Sequence, residues 1–175
     1  MMQKKKESLI NLAHEIDILQ IPKVFSKKIK VTNVLQNELE QINNLESIIF
    51  EYPWHLFDFD FFYSVSSFKV VKIKSFIIGY AIFRYEKDSK NRKNICHLLK
   101  IGVHPEFQNM GIGSALIKDM FYNMKKNGSK IVYLEVREGN KNAIAFYEKK
   151  GFFKAKLIEN YYENQESAFM MIKIF

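Results

Sequence analysis

One cysteine, Cys96, in 175 residues excludes an intrachain disulfide and favours a reducing, intracellular setting. No apolar run is long enough to cross a bilayer as a helix. The opening, MMQKKKESLINLAHEIDILQ, begins with the basic residues of a secretory leader, but Asn11, His14, Glu15 and Asp17 interrupt what would be its apolar stretch. A cytoplasmic location without a membrane partner is therefore expected. Arginine is scarce: Arg84, Arg92 and Arg137 stand among 27 basic residues. The net charge is +8, and residues 1 to 30 hold seven lysines against three acids, so half of the excess lies in one terminal segment. With a chain rich in Lys, Asn and Ile throughout, this reads as a solvated surface and a genome bias, and no direct nucleic-acid binding is expected.

What is present suits one domain with a full core. Hydrophobic residues make up 47% and charged residues 26%, which is ordinary, whereas 15% aromatic is high. Residues 1–28 form an extension, predicted to be helical because Leu9, Leu12, Ala13, Ile16 and Leu19 recur at helical spacing until Pro22. The main domain is expected over 29–175. Residues 29–34 predict a short strand, and 35–50 a helix with Leu35, Leu39, Ile42, Leu45 and Ile49 on one face. In EYPWHLFDFDFFYS, Pro53 breaks that helix, and Trp54, Phe57 and Phe61 are expected to share the packed face of a second one. Residues 68–74, 76–86 and 94–103 are apolar, β-branched and aromatic runs separated by polar turns, DSKNRK the clearest of them, and predict an antiparallel meander. A strand at 130–137, a helix from Asn140 or Lys141 to Lys150 closed by Gly151, and strands at 152–162 and 168–175 complete the chain. The order βααβββαβαββ predicts an α/β fold with a mixed sheet and helices on both faces.

The stretch VHPEFQNMGIGSALIKDMFYNMKKNG, residues 103–128, organises the rest. A strand ends at Val103, a tight loop carries Gln108, Gly111 and Gly113, and a helix follows with Ile112, Ala115, Leu116, Met120 and Met124 on its buried face. No acidic residue precedes Asp119 in this helix, so its unpaired N–H groups and positive dipole end are available to an outside anion. Two glycines let the backbone approach a phosphate. From the loop alone, a glycine-started core helix explains the same residues equally well.

In the strand KIVYLEVR, Glu135 interrupts an apolar run, and Tyr147 lies in the next helix. Each alone has a plain reading, as a solvent-face carboxylate and a packing ring. Together with their surroundings they carry a resemblance. LEVREGNKNAIAFYEKKGF, VHPEFQNMGIG, the paired tyrosines of NYYENQESAFMM, and YPW at residues 52–54 resemble the corresponding stretches of protein N-terminal acetyltransferases of the GNAT superfamily, especially the ribosomal-protein alanine N-acetyltransferases. The likeness covers residue 29 to the end. Asn109 and Met110 stand where that family often has a basic residue, and Gly139 where a serine is usual.

The resemblance implies a GNAT-like, mostly antiparallel sheet of about seven strands, splayed by a bulge at a central parallel pair formed by 101–103 beside 134–136. It implies acetyl-CoA as co-substrate and no metal. His97 and His104 belong to no ligand-spaced set and read as core or surface residues. The backbone of Ile101 and Val103 is expected to meet the pantetheine, with the Val103 N–H directed at the thioester oxygen. Gln108, Asn109, Met110, Gly111, Ile112, Gly113 and Ser114 are expected to cradle the pyrophosphate, and Asn140 to cap the last helix and touch the cofactor. Glu135 is the expected base, acting through a water, and Tyr147 the expected acid. Tyr52 and Trp54 on one side and Tyr161 and Tyr162 on the other are expected to wall a peptide groove. The implied acceptor is a protein N-terminus, and ribosome association is an implied partner relation. Two other readings stay open at this level: a small-molecule amine as acceptor, and a non-catalytic acyl-CoA-binding module, against which the presence of both Glu135 and Tyr147 argues.

Overall fold

The computed structural model describes residues 29–87 and 94–175; the expected extension over 1–28 and the DSKNRK turn lie outside the described residues. The elements follow the expected alternation: β1 (Val31–Asn33), α1 (Leu39–Ile49), α2 (Leu56–Val65), β2 (Ser67–Ile73), β3 (Phe76–Lys87), β4 (Asn94–Val103), α3 (Ile112–Lys126), β5 (Ile131–Arg137), α4 (Lys141–Glu148), β6 (Phe153–Ile158) and β7 (Ala168–Ile174). Short 3-10 turns occupy Gln36–Glu38 and Pro105–Phe107. The seven strands form one sheet in the order β1-β2-β3-β4-β5-β7-β6. β4 and β5 are parallel, whereas β1 with β2, β5 with β7 and β6 with β7 are antiparallel. The parallel register runs Ile95↔Ile131, Cys96↔Val132 and His97↔Tyr133 and stops there, although β4 continues to Val103 and β5 to Arg137. The paired stretch thus ends before 101–103 and 134–136, the residues at which a splay was expected.

The residues fall into two compact units, one built from the chain up to Ala81 with Ile101–Asp119, the other from Ile82–Lys100 with Met120–Phe175. In the first, α1 buries Leu39, Ile42 and Leu45 at the expected spacing, and with them Glu46, which is wholly buried. Leu35 is exposed, contrary to expectation. The Glu38 carboxylate accepts the Leu35 N–H at 2.9 Å and closes a 3-10 turn, so the α-helix starts only at Leu39. The second helix also departs from the expected pattern. Phe57 and Phe61 are 79% and 51% exposed, and Phe59 is the buried ring. The cause is the helix start: the His55 N–H donates to the Asp58 carboxylate at 2.8 Å, and α2 begins at Leu56. Trp54 therefore precedes the helix, and its ring stacks on Phe62 with centroids 4.9 Å apart.

Gly79 of β3 sets how near α3 can come. A Cβ there would meet Ile112 Cγ2 at 2.8 Å and the Gly102 carbonyl at 3.2 Å. Ile112, the first residue of α3, is buried at this contact, so the helix entry is pinned by the missing side chain.

In the second unit, Val132, Leu134 and Val136 of β5 are buried, while Ile131, Tyr133, Glu135 and Arg137 share the partly open face. Met120, Met124, Ile144, Tyr147, Phe152, Met171 and Cys96 belong to the core of this unit. Burial, helped by the Glu86 charge, pushes the Cys96 thiol up to about 12. α4 is capped by Asn140, whose side-chain oxygen accepts the Ala143 N–H at 3.0 Å. Gly151, at φ +85°, closes the turn after it in the left-handed conformation expected of it. β6 ends at Ile158 rather than continuing to Tyr162. Asn160, at φ +52°, turns the chain out of extended conformation, and Tyr161 and Tyr162 lie in the connecting loop.

Gly79→Ala should lower stability by about 1–3 kcal/mol, the usual cost of overpacking, because both the stiff Ile112 methyl and a backbone carbonyl oppose the added carbon. Denaturant unfolding checks this. An unchanged midpoint would mean that the α3 entry moves without cost.

Candidate active site

The residues singled out from the sequence are divided between the two units. In the first, β4 ends in a loop that is held from within. The His104 N–H donates to the Ile78 carbonyl at 2.9 Å, so by strand alternation the N–H groups of Ile101 and Val103 point to the opposite edge of β4. His104 is a structural residue: its ring is buried, its Nδ1 accepts the Glu106 N–H at 3.3 Å, and burial lowers its pKa against the opposing pull of Glu106. Gln108 folds back, its side-chain amide donating to the Val103 carbonyl at 3.2 Å. Val103 thus has its carbonyl engaged, and its N–H is the group it can offer a ligand.

Asn109 at φ +62° and Gly111 at φ +85° carry the turn into α3. Ala115 is the first residue whose N–H reaches back to the Gly111 carbonyl, at 2.9 Å. The N–H groups of Ile112, Gly113 and Ser114 therefore have no intrahelical acceptor, and no acid lies in the first turn. An anion is the natural partner for such an end. Ile112 contributes only its backbone, since its side chain is buried, while Met110 is 39% exposed.

Tyr52 and Trp54 belong to the same unit and differ in role. Tyr52 is 54% exposed. Trp54 is held by its ring stacking on Phe62 and by its N–H, which donates to Glu46 Oε1 at 3.0 Å. The other oxygen of this buried carboxylate accepts the Tyr80 hydroxyl, and burial first, then the Glu46 charge, drives the Tyr80 pKa well above its usual value. Glu46 was invisible in the sequence as anything but an interruption of a helical stripe.

The second unit gathers Glu135, Tyr147, Tyr161 and Tyr162. Tyr147, on α4, is buried with its ring against Phe152, and burial, with a smaller contribution from Tyr162, raises its pKa. The hydroxyl is thus held protonated near neutrality. Tyr161 and Tyr162 meet edge to face at 5.0 Å. Burial pushes Tyr162 up to about 12 against the lowering effect of Arg137, and Glu135 adds its charge to the raising of both loop tyrosines. The Arg137 guanidinium lies 3.8 Å from the Tyr162 ring centroid and pairs with Glu166 at 2.6 Å. Glu166 also accepts the Gly139 N–H at 3.2 Å. These contacts fasten the tyrosine loop to the turn before α4.

The environment of Glu135 adds a residue for which the sequence suggested no role at the site. Glu135 Oε2 lies 2.8 Å from His97 Nε2, so His97, read from the sequence as a core or surface residue, adjoins the expected base. Its imidazole stacks on Tyr133, its register partner, with centroids 4.1 Å apart. Among the described residues no cluster of His, Cys, Asp and Glu suits a metal ion.

The profile of the Acetyltransferase (GNAT) family matches residues 37–152, which takes in the loop, Glu135 and Tyr147, and the chain belongs to that family. It is an acyltransferase by class. The N-alpha-acetyltransferase of Sulfurisphaera tokodaii is 29% identical over 154 residues, which cover 83% of this chain and 92% of that one. The crystal structure of the ribosomal-protein-S18-alanine N-acetyltransferase from Escherichia coli matches with a TM-score of 0.74 at 25% identity, over 84% of this chain and 94% of that one. That of Arabidopsis thaliana NAA60 in complex with acetyl-CoA shares the fold, with a TM-score of 0.74 at 16% identity over 85% of this chain and 100% of that one.

Glu46→Ala should cost about 1–3 kcal/mol for each buried donor it strands, and should loosen the segment carrying Trp54. Because Trp54 is the only tryptophan, its emission reports that segment alone. A red shift in the folded variant is expected, together with a lower unfolding midpoint. Unchanged emission would mean that the Phe62 stack suffices to hold the ring.

Proposed function

We propose that this chain transfers the acetyl group of acetyl-CoA to the α-amine of a protein N-terminus. The observation that carries the reading is Glu135 on the partly open face of β5 with Tyr161 and Tyr162 near enough to feel its charge, and Tyr147 in turn near enough to Tyr162 to feel that one. Family membership and the named activities of the relatives support it.

Acetyl-CoA supplies an acetyl group activated as a thioester and a pyrophosphate by which to hold it. The residues from Gln108 to Ser114 fit that anion: their backbone turns through two positive-φ residues into a helix end without acids. The N–H of Val103 is the donor proposed for the carbonyl oxygen, which gains negative charge as the amine adds. Ile101 and Asn140 are proposed to position the pantetheine and the α4 end of the site.

Glu135 takes the proton that the amine gives up as its nitrogen bonds to the acetyl carbon. An α-amine has a pKa near ~8, so a carboxylate acting through a water suffices. As the carbon–sulfur bond breaks, the Tyr147 hydroxyl donates a proton to the sulfur; its raised pKa keeps it protonated at working pH until then, and it takes a proton back from solvent before the next turnover. Tyr161, Tyr162, Tyr52 and the segment around Trp54 are proposed to bind the first residues of the acceptor. An amine on the peptide backbone is also easier to deprotonate than a lysine at ~10.4.

Mass spectrometry after incubation with acetyl-CoA should show transfer to Ala- or Ser-initiated peptides, the Escherichia coli relative's ribosomal protein N-terminus being the first to try. Transfer to N-terminally blocked lysine peptides or to spermidine should be much weaker. Faster modification of spermidine or lysine than of every free N-terminus would replace the proposed acceptor by a small amine. Glu135→Gln and Tyr147→Phe should each lower kcat by ~100-fold or more with little change in acetyl-CoA binding. Gly113→Asp should instead weaken that binding at least tenfold, about 1.4 kcal/mol, by placing a carboxylate at the helix end. Full activity in both catalytic variants would remove those residues from the mechanism.

A further inference from the structure

We infer that Glu86 is a positioning residue of the transfer reaction, holding His97 in the state that lets Glu135 pass on the proton it takes from the amine. The inference rests on the proposed function and extends it to a residue that would touch neither the acceptor nor acetyl-CoA.

His97 stands between two carboxylates. Its Nε2 is 2.8 Å from Glu135 Oε2, and its Nδ1 is 3.4 Å from Glu86 Oε1. Glu86 is itself fixed, accepting the Tyr133 hydroxyl at 2.7 Å and the Arg84 Nε–H at 2.6 Å. Burial alone would raise the Glu86 carboxyl, but these two donors overcome it and hold the group below the usual carboxylate range. From β3, therefore, His97 is faced by Glu86 with Arg84 behind it. From β5 it is faced by Tyr133, stacked on the ring, and by Glu135. Tyr161 and Tyr162 lie close enough to Glu135 to sense its charge.

A neutral imidazole has one N–H. With that hydrogen on Nε2, His97 donates to Glu135, and the Nδ1 lone pair is turned to a carboxylate oxygen. Among the described residues Nδ1 is indeed a buried atom without a hydrogen-bond partner. One added proton resolves the conflict. As imidazolium, His97 presents Nε2–H to Glu135 and Nδ1–H to Glu86. The same proton can instead sit on Glu135 Oε2 while the neutral ring keeps its hydrogen on Nδ1, toward Glu86. These two arrangements differ only by a shift along the Nε2···Oε2 contact. The cluster is thus complete when it holds one proton more than in its resting form, and one proton is what Glu135 receives from the amine. No electrons are exchanged, and the proton returns to solvent before the next turnover. The Glu86 carboxylate, 3.4 Å from Nδ1, favours the two arrangements that carry a hydrogen on Nδ1, and so favours the proton-holding form of the Glu135–His97 pair.

The test combines an NMR titration of the His97 ring in the full chain, without substrates, with the pH profile of kcat/KM on an Ala-initiated peptide. In Glu86→Gln the loss of the carboxylate should lower the His97 midpoint by at least one pH unit. The acid limb of kcat/KM should follow it to lower pH, because the pair then stays deprotonated further into acid. At pH 7.5 kcat should fall at least tenfold, with the KM for acetyl-CoA changed less than twofold. Glu86→Asp should recover at least half of the midpoint shift. If Glu86→Gln does not fold, Tyr133→Phe, which removes one donor from Glu86, carries the test through a smaller change in the same two readouts. A folded variant whose His97 midpoint and acid limb stay where they were overturns the inference, even if its rate falls. Failure of the unaltered protein to acetylate any N-terminus overturns the proposed function instead, and the substrate-free titration still reports whether Glu86 and His97 are coupled.

Discussion

Parallel pairing of β4 with β5 lasts for three residues, and the proposed chemistry depends on its ending so early. A strand sends its N–H and C=O groups alternately to its two edges, and buried groups must find partners. β5 meets that requirement along one edge through its full register with β7, from Ile131↔Ile174 to Arg137↔Ala168. Glu135, opposite Met170 in that ladder, consequently has a fixed backbone. Beyond Tyr133 the other edge has no ladder partner in β4. A rigid strand with one open edge can present a carboxylate and still leave backbone groups to meet a substrate.

Acids in both units follow one rule, that a buried or half-buried carboxylate persists where donors converge on it. Glu46 receives the Trp54 N–H and the Tyr80 hydroxyl. Glu86 receives Tyr133 and Arg84, and the less buried Glu166 receives Arg137 and the Gly139 N–H. Each ties together segments distant in sequence: Glu46 the α1–α2 connection to β3, Glu86 the end of β3 to β5, and Glu166 the tyrosine loop to the turn before α4. Such ties hold loops that the hydrophobic core alone would leave free to shift.

What could be read from the sequence was what depends on neighbours along the chain. The glycines and the acid-free first turn of α3, the Asn140 cap, the Gly151 stop and the isolated carboxylate of Glu135 in the β5 run are local features, and each was legible. So were the element order and, through its resemblance, the family. What was not legible required knowing which distant residues meet. His97 is an ordinary polar interruption of a strand until the register sets it beside Tyr133 and within reach of Glu135. Glu46 occupies a helical stripe as an apparent fault until Tyr80, on another element, supplies its hydrogen bond. The buried face of α2 is not legible because the helix start depends on the Asp58 carboxylate, which accepts the His55 N–H and leaves Trp54 off the helix. Tyr161 and Tyr162 read as strand residues because the left-handed turn at Asn160 carries no glycine to announce it.

The burial of Cys96 has a practical side. The one thiol in the protein is inaccessible and, at a pKa of about 12, almost wholly protonated under ordinary conditions. Thiolate is the nucleophilic form, so the native chain is a poor target for alkylating and disulfide reagents. A chromogenic thiol reagent present throughout turnover would count the thiol released by the reaction, against a background to which the folded enzyme itself adds almost nothing.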